Sequence, residues 1–264
     1  MHKTLFSLGP LEIHSYGFLL ALSFALGLWL AARRAEARGI PSEKIMDLTL
    51  VIIACVVVGA RALFVAAHPA QFAGRWLDVL KTWEGGLTMY GGAVPAVVVG
   101  MWLLRRWGID PWAAADSIAP SIGLGLGLTR IGCYLSGCCL GAPTEASWAV
   151  VFPDSCYLYS GSPLSAGTPV HPAQLYASAV GFFLFAFLML LDRRPLRRGS
   201  LFLTFLLLYS VARTLLDTLR TYDATAFPVA AVPLTLNQWV SAAVFLFAVY
   251  GLARGVGGSR TSSA

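Results

Sequence analysis

The chain has 264 residues, of which 57% are hydrophobic and 12% charged, and its mean hydropathy is +0.71. That is too apolar for a soluble globular domain of ordinary composition, so the chain reads as an integral membrane protein. The net charge of +6 does not signal nucleic acid, because the basic residues cluster at the ends of apolar runs instead of lining one polar face.

A spanning helix needs about 20 mostly apolar residues, and seven windows approach that length. The first, 13–32, ends in Arg33 and Arg34 and lacks a small-residue cleavage pattern, so it is expected to be retained and not removed as a signal peptide. The second is 46–67. The third, 87–104, is weaker because it carries a glycine pair and Pro95; the fourth, 111–130, carries Asp116, Pro120 and the run GLGLGL. Small residues let helices approach closely in lipid, so both weak windows are expected inside a bundle. The remaining windows are 172–191, 199–218 and 236–253. The class is therefore an all-α integral membrane protein with seven transmembrane helices.

Lysine and arginine orient the bundle. With the N-terminus outside, twelve fall in inside segments, including Arg105, Arg106, Arg193, Arg194, Arg197 and Arg198. Five fall outside: Lys3, Arg75, Lys81, Arg130 and Arg220. The expected topology has a periplasmic N-terminus, a cytoplasmic C-terminus and periplasmic connections at about 68–86, 131–171 and 219–235. Trp76, Trp83, Trp148, Tyr157 and Tyr159 in these connections suit a membrane interface. Residues 1–255 are expected to form one polytopic domain and 256–264 a disordered tail.

Polar residues inside the spans narrow the function. An arginine at the bilayer centre costs about 2.5 to 3.5 kcal/mol on insertion scales and is retained where it faces a cavity or a partner. Arg61 and Arg213 lie within spans, and Arg130 ends the fourth. Arg213 is four residues before Asp217, a spacing that puts the two on one helical face. Arg130 and Arg213 both fall toward the outer half of the membrane, where guanidiniums match phosphate oxygens bidentately, so a phospholipid head group is the expected ligand. On the same side stand His14, Tyr16, Glu84, Tyr90, His171, Gln174 and Tyr209, although a lone Tyr or His at a helix end is more often an interfacial anchor.

Five cysteines, three of them in RIGCYLSGCCLG (130–141), form no zinc-module spacing and no disulfide framework. Buried cysteines acting as small hydrophobes are the bland reading. A disulfide on the oxidising side involving Cys156 is the other.

The blocks IHSYGFLLAL, GARALF, WEGGLTMYGGAVPA, RIGCYLSGCCLG, HPAQLYAS, YSVARTLLDTLR and LNQWVSAA, in that order over nearly the whole chain, resemble the prolipoprotein diacylglyceryl transferase family. The family signature Gly-Arg-x-Gly-Asn-Phe-x-Asn-x-Glu is matched here by Thr129 to Cys138, with Cys133 at the asparagine and Cys138 at or beside the glutamate. Tyr90-Gly91-Gly92 stands where the family often has His-Gly-Gly, and Asp217 where it often has Glu.

The resemblance implies a multi-pass enzyme of the bacterial inner membrane that moves a diacylglyceryl group from phosphatidylglycerol to the lipobox cysteine of preprolipoprotein signal peptides. It implies no metal and no cofactor; its partners are those two substrates and the bilayer, and not nucleic acid. Candidate catalytic residues are Arg130, Arg213, Tyr90, Tyr209 and His171; Arg130, Tyr16, Gly91, Gly92, Cys133, Gly141, Gln174 and Asp217 are expected at the substrate. The base is open among Tyr90, His171 and no protein group at all. Two other classes stay in view. A transporter predicts inverted repeats, which the halves do not show. A membrane thiol oxidoreductase predicts that Cys138 or Cys139, and not Arg130, is indispensable.

Overall fold

The computed structural model describes residues 4–8, 11–72, 74–82, 85–86, 88–152, 156–157, 163–165, 167–220 and 235–255. The expectations placed on Lys3, Trp83, Glu84, Tyr159, most of the 219–235 connection and the tail lie outside these residues. The described residues divide into two compact units, Met1–Ala31 with Ala115–Ala264, and Ala32–Ala114.

The protein is mostly helical. Its helices are α1 (Ser15–Glu36), α2 (Ser42–Ala67), α3 (Pro69–Phe72), α4 (Met89–Arg106), α5 (Pro111–Ser136), α6 (Ala173–Leu191), α7 (Ser200–Asp217) and α8 (Leu236–Arg254). Among the described residues six are long and apolar enough to cross a membrane: α1, α2, α5, α6, α7 and α8. Helix α4 has 18 residues, but three of them are glycine, one is Pro95 and two are the terminal arginines, so it falls short in apolar content.

Two boundaries differ from expectation. The first span opens at Ser15, because Leu11–His14 (β2) pairs antiparallel with Thr4–Leu8 (β1). His14 therefore belongs to a strand. The fourth helix runs six residues further, so that Ile131 to Ser136 are helical and not part of a connection. The connection after it holds two short antiparallel pairs, Val150–Val151 (β3) with Pro169–Val170 (β6) and Cys156–Tyr157 (β4) with Pro163–Leu164 (β5). Leu140, Phe152, Cys156 and Val170 are buried together beneath them. Cys156 is accounted for by this small core.

In the larger unit, Ala119 of α5, Leu184 and Leu188 of α6, and Leu201 and Phe205 of α7 form one buried cluster. Lipid tails are as apolar as leucine, so packing and not water exclusion must hold such helices together. The sequence supplies that packing with small residues. A Cβ on Gly181 would lie 2.5 Å from the Gly127 nitrogen and 2.9 Å from the Gly123 oxygen, so α5 and α6 cross at backbone contact. Ser178 donates to the Gly127 carbonyl at 2.9 Å beside this crossing.

Asp116, expected to be costly inside a span, has a specific task. Its carboxylate accepts from the Gly199 and Phe202 amides at 2.6 and 2.8 Å, capping the start of α7 from α5. Gly199 holds the left-handed conformation there, with φ of 82°.

In the smaller unit α2 packs on α4. A Cβ on Gly91 would lie 2.6 Å from the Gly59 oxygen, and one on Gly92 would lie 2.8 Å from the Val56 oxygen. The intramembrane Arg61 also has a structural explanation. It donates to the carbonyls of Asp78, Val79, Gly85 and Gly86 at 2.6, 2.9, 2.8 and 3.2 Å, and lies over the rings of Phe64 and Phe72.

Candidate functional site

The last turns of α7 carry an apolar run interrupted by Tyr209, Arg213 and Asp217, each four residues after the previous one, with Arg220 three residues further on. At 3.6 residues per turn Tyr209, Arg213 and Asp217 fall on one face, and the turn that follows α7, in which the Arg220 amide donates to the Asp217 carbonyl at 3.3 Å, brings Arg220 back to Asp217. Arg213 Nη2 lies 3.2 Å from Asp217 Oδ1, and Arg220 Nη1 lies 3.7 Å from the same oxygen. The side chains of Asp217 and Arg220 are wholly inaccessible, and that of Arg213 nearly so. One carboxylate thus serves two guanidiniums in a buried array. Tyr209 is stacked on Phe205, with ring centroids 5.6 Å apart and planes 7° from parallel, which fixes the turn before Arg213.

Arg130, near the end of α5, faces the same space. Arg130, Tyr209, Arg213 and Arg220 line one small cavity, with Leu126, Ala177, Val180, Gly181 and Leu216 completing its walls. The glycine crossing of α5 and α6 forms one side of it. Three guanidiniums, which stay protonated in proteins, converge on this space, two of them paired with Asp217. Guanidiniums held in an otherwise apolar wall suit a phosphate and little else among lipid groups.

A short loop ties this array together. Helix α5 ends in a Schellman motif: the Gly137 amide donates to the Tyr134 carbonyl at 3.2 Å and the Cys138 amide to the Cys133 carbonyl at 3.1 Å, with φ of 71° at Gly137. Gln174, fully buried on α6, donates to the Cys138 carbonyl at 2.8 Å. The Gly141 amide donates to the His171 carbonyl at 3.2 Å and the Ala142 amide to the Leu219 carbonyl at 2.8 Å. The last bond joins the loop to the residue before Arg220. A Cβ at Gly141 would meet the His171 oxygen at 2.5 Å and the Leu219 oxygen at 3.0 Å, so only glycine passes there. Gly141 and Gln174 thus brace the loop after α5 and are not among the residues lining the cavity.

The structure separates the remaining candidates. Tyr16 packs against Gly132, two residues after Arg130 on α5, where a Cβ would lie 3.4 Å from its ring. Cys133 is buried and grouped with Cys138 and Cys139, the three sulfurs lying within 4.8 Å of one another. His171 is outside the cavity lining; its backbone pins Gly141 and Ala142 and its ring centroid is 6.2 Å from that of Tyr176. Tyr90, Gly91 and Gly92 belong to α4 of the smaller unit, where both glycines serve the packing on α2. Arg220 is the residue that the sequence reading assigned to a connection and left unused. A further arginine three residues after Asp217, just past the end of α7, is the signal that finds it.

Comparison with known proteins agrees in its coverage. The family model described as prolipoprotein diacylglyceryl transferase matches residues 3–254. Among curated relatives, three phosphatidylglycerol–prolipoprotein diacylglyceryl transferases are similar. The one from Bacillus velezensis is 34% identical over 218 residues, 82% of this chain and 79% of the relative. That from Geobacillus kaustophilus is 35% identical over 226 residues, 84% and 82% of the two chains. That from Bordetella avium is 33% identical over 244 residues, 90% and 89% of the two chains.

Proposed function

The chain belongs to the prolipoprotein diacylglyceryl transferase family, and from that premise we infer how its buried arginines carry out the transfer of a diacylglyceryl group from phosphatidylglycerol to a prolipoprotein. The observation that carries the reading is the convergence of Arg130, Arg213 and Arg220 on one cavity with Asp217 behind them. In this reading the phosphate of the lipid occupies that cavity and its acyl chains lie against the apolar walls.

The acceptor is the thiol of a lipobox cysteine in the signal peptide. Its sulfur attacks the glyceryl carbon that bears the phosphate, a C–S bond forms, the C–O bond breaks, and glycerol phosphate leaves with the electron pair. The bound phosphodiester carries one negative charge and the departing monoester approaches two. Fixed guanidiniums therefore stabilise the transition state more than the bound lipid, and that differential accelerates the step. The same positive field favours thiolate in a nucleophile whose ordinary pKa is near 8.5. The proton lost from the thiol ends on the departing phosphate or in solvent, and no protein base is needed in this scheme.

The topology that serves this chemistry is a single polytopic domain over 1–255 with seven spans, α4 being the seventh, in the bacterial inner membrane with the N-terminus in the periplasm. Arg130 and Arg213 then open toward the leaflet from which preprolipoproteins present their cysteine. Complementation of a strain depleted of its own transferase tests the reading. The wild-type chain restores growth, and Arg130→Ala and Arg213→Ala do not; growth with either variant at wild-type protein level contradicts it.

A further inference from the structure

The cysteines of the last turns of α5 and the loop after it are used by nothing in the transfer scheme. Cys133 and Cys138 meet because the Schellman motif brings the residue after its glycine back over the last turn of the helix, which explains two of the three thiols as a capping contact. Cys139 is not explained that way. It holds φ of 61°, the only non-glycine residue in the left-handed region among the described residues, and this turn swings its sulfur into the same group. A side chain held in so rarely adopted a backbone conformation calls for a reason beyond capping.

The three sulfurs lie within 4.8 Å of one another, with Cys133 buried and Cys138 and Cys139 partly accessible, so the group is enclosed but reachable. Among the described residues no histidine and no carboxylate joins it. Zinc takes four ligands in structural sites and suits this set poorly, whereas soft thiolates alone select a soft ion content with three.

We propose that Cys133, Cys138 and Cys139 form a three-coordinate site for one soft monovalent metal ion, Cu(I), at the end of α5. The linear spacing of C-x4-C-C hides the site because helix capping and the turn at Cys139, rather than a regular repeat, assemble it.

The full chain, purified in detergent under reducing and anaerobic conditions, is titrated with Cu(I) against the colorimetric chelator bicinchoninate. One equivalent of copper is expected to leave the chelator, and X-ray absorption of the loaded protein is expected to show three sulfur neighbours and no nitrogen. Cys138→Ser and Cys139→Ser should each weaken competition by at least about tenfold, the scale on which even supporting residues act, while Cys55→Ser should leave it unchanged. Failure of the wild-type chain to withdraw copper overturns the proposal, as does unweakened competition by Cys139→Ser or an absorption spectrum with nitrogen or fewer than three sulfurs. Because the spectrum is read on the wild-type chain, a variant that does not fold cannot rescue the idea.

Discussion

Replacing Asp217 by Asn isolates the carboxylate on which the arginine array depends. Its side chain and that of Arg220 are fully buried, and it lies 3.2 Å from Arg213 and 3.7 Å from Arg220. Removing one partner of a buried ion pair costs about 3–5 kcal/mol because the remaining charge stays buried without compensation. Here two guanidiniums lose the same counter-ion at once. At roughly 2–4 °C per kcal/mol for a chain of this size, the unfolding midpoint should fall by about 10 °C. Asp217→Glu keeps the charge on a side chain longer by one methylene and should recover most of that loss. The midpoint is read from intrinsic tryptophan fluorescence in detergent, with transfer measured on the same preparations below the midpoint. The Asn variant should also lose transfer by more than about tenfold, since Arg213 and Arg220 no longer have a common anchor. An Asn variant that melts with the wild type and transfers at the wild-type rate would refute the reasoning.

Other consequences can be checked separately. Gly141→Ala places a methyl 2.5 Å from the His171 oxygen and should destabilise the chain by about 1–3 kcal/mol and lower transfer, read as a lowered midpoint and rate. Asp116→Ala removes the acceptor for the Gly199 and Phe202 amides and should cost about 1–3 kcal/mol of stability, with the KM for donor lipid unchanged. The Cys139 thiol is held below its ordinary pKa by hydrogen bonds from Cys133 and Cys138 and by Arg130 and Arg220, whereas Cys138 is pushed up. Iodoacetamide followed by peptide mass spectrometry should therefore label Cys139 as fast at pH 6 as at pH 8 and leave Cys138 behind at both; an equal tenfold-per-unit rise for the two would contradict this cause. Tyr90→Phe should transfer at the wild-type rate, because the scheme uses no base there.

Helix placement was readable because a span needs little more than length and apolar content: the windows for α2, α6, α7 and α8 match their helices to within a few residues. The glycine run 123–128 was readable as close packing for the same reason, and the crossing with Gly181 is its physical form. Where the reading stopped short, the cause is non-local. Ile131 to Ser136 look like a loop beside Arg130, yet they continue α5 until the glycine at 137 caps it. The β1–β2 hairpin depends on pairing and not on hydropathy. Arg61 and Arg130 are alike as intramembrane arginines; only the fold shows that four carbonyls absorb the first while the second faces a cavity. Gly91 and Gly92 stand within a motif that the resemblance ties to substrate, and their backbone contacts with α2 are invisible in a string of residues.

The central claim is that the arginine cavity stabilises the departing phosphate. The most direct measurement is the transfer rate in proteoliposomes containing labelled phosphatidylglycerol and a lipobox peptide, comparing the wild-type chain with Arg130→Gln. Removing one fixed donor to a developing anion typically lowers a rate by about 10²–10³. The account predicts a loss of at least that size in kcat, with thioether product and released glycerol phosphate falling together. An Arg130→Gln enzyme with kcat within a few-fold of the wild type would contradict it.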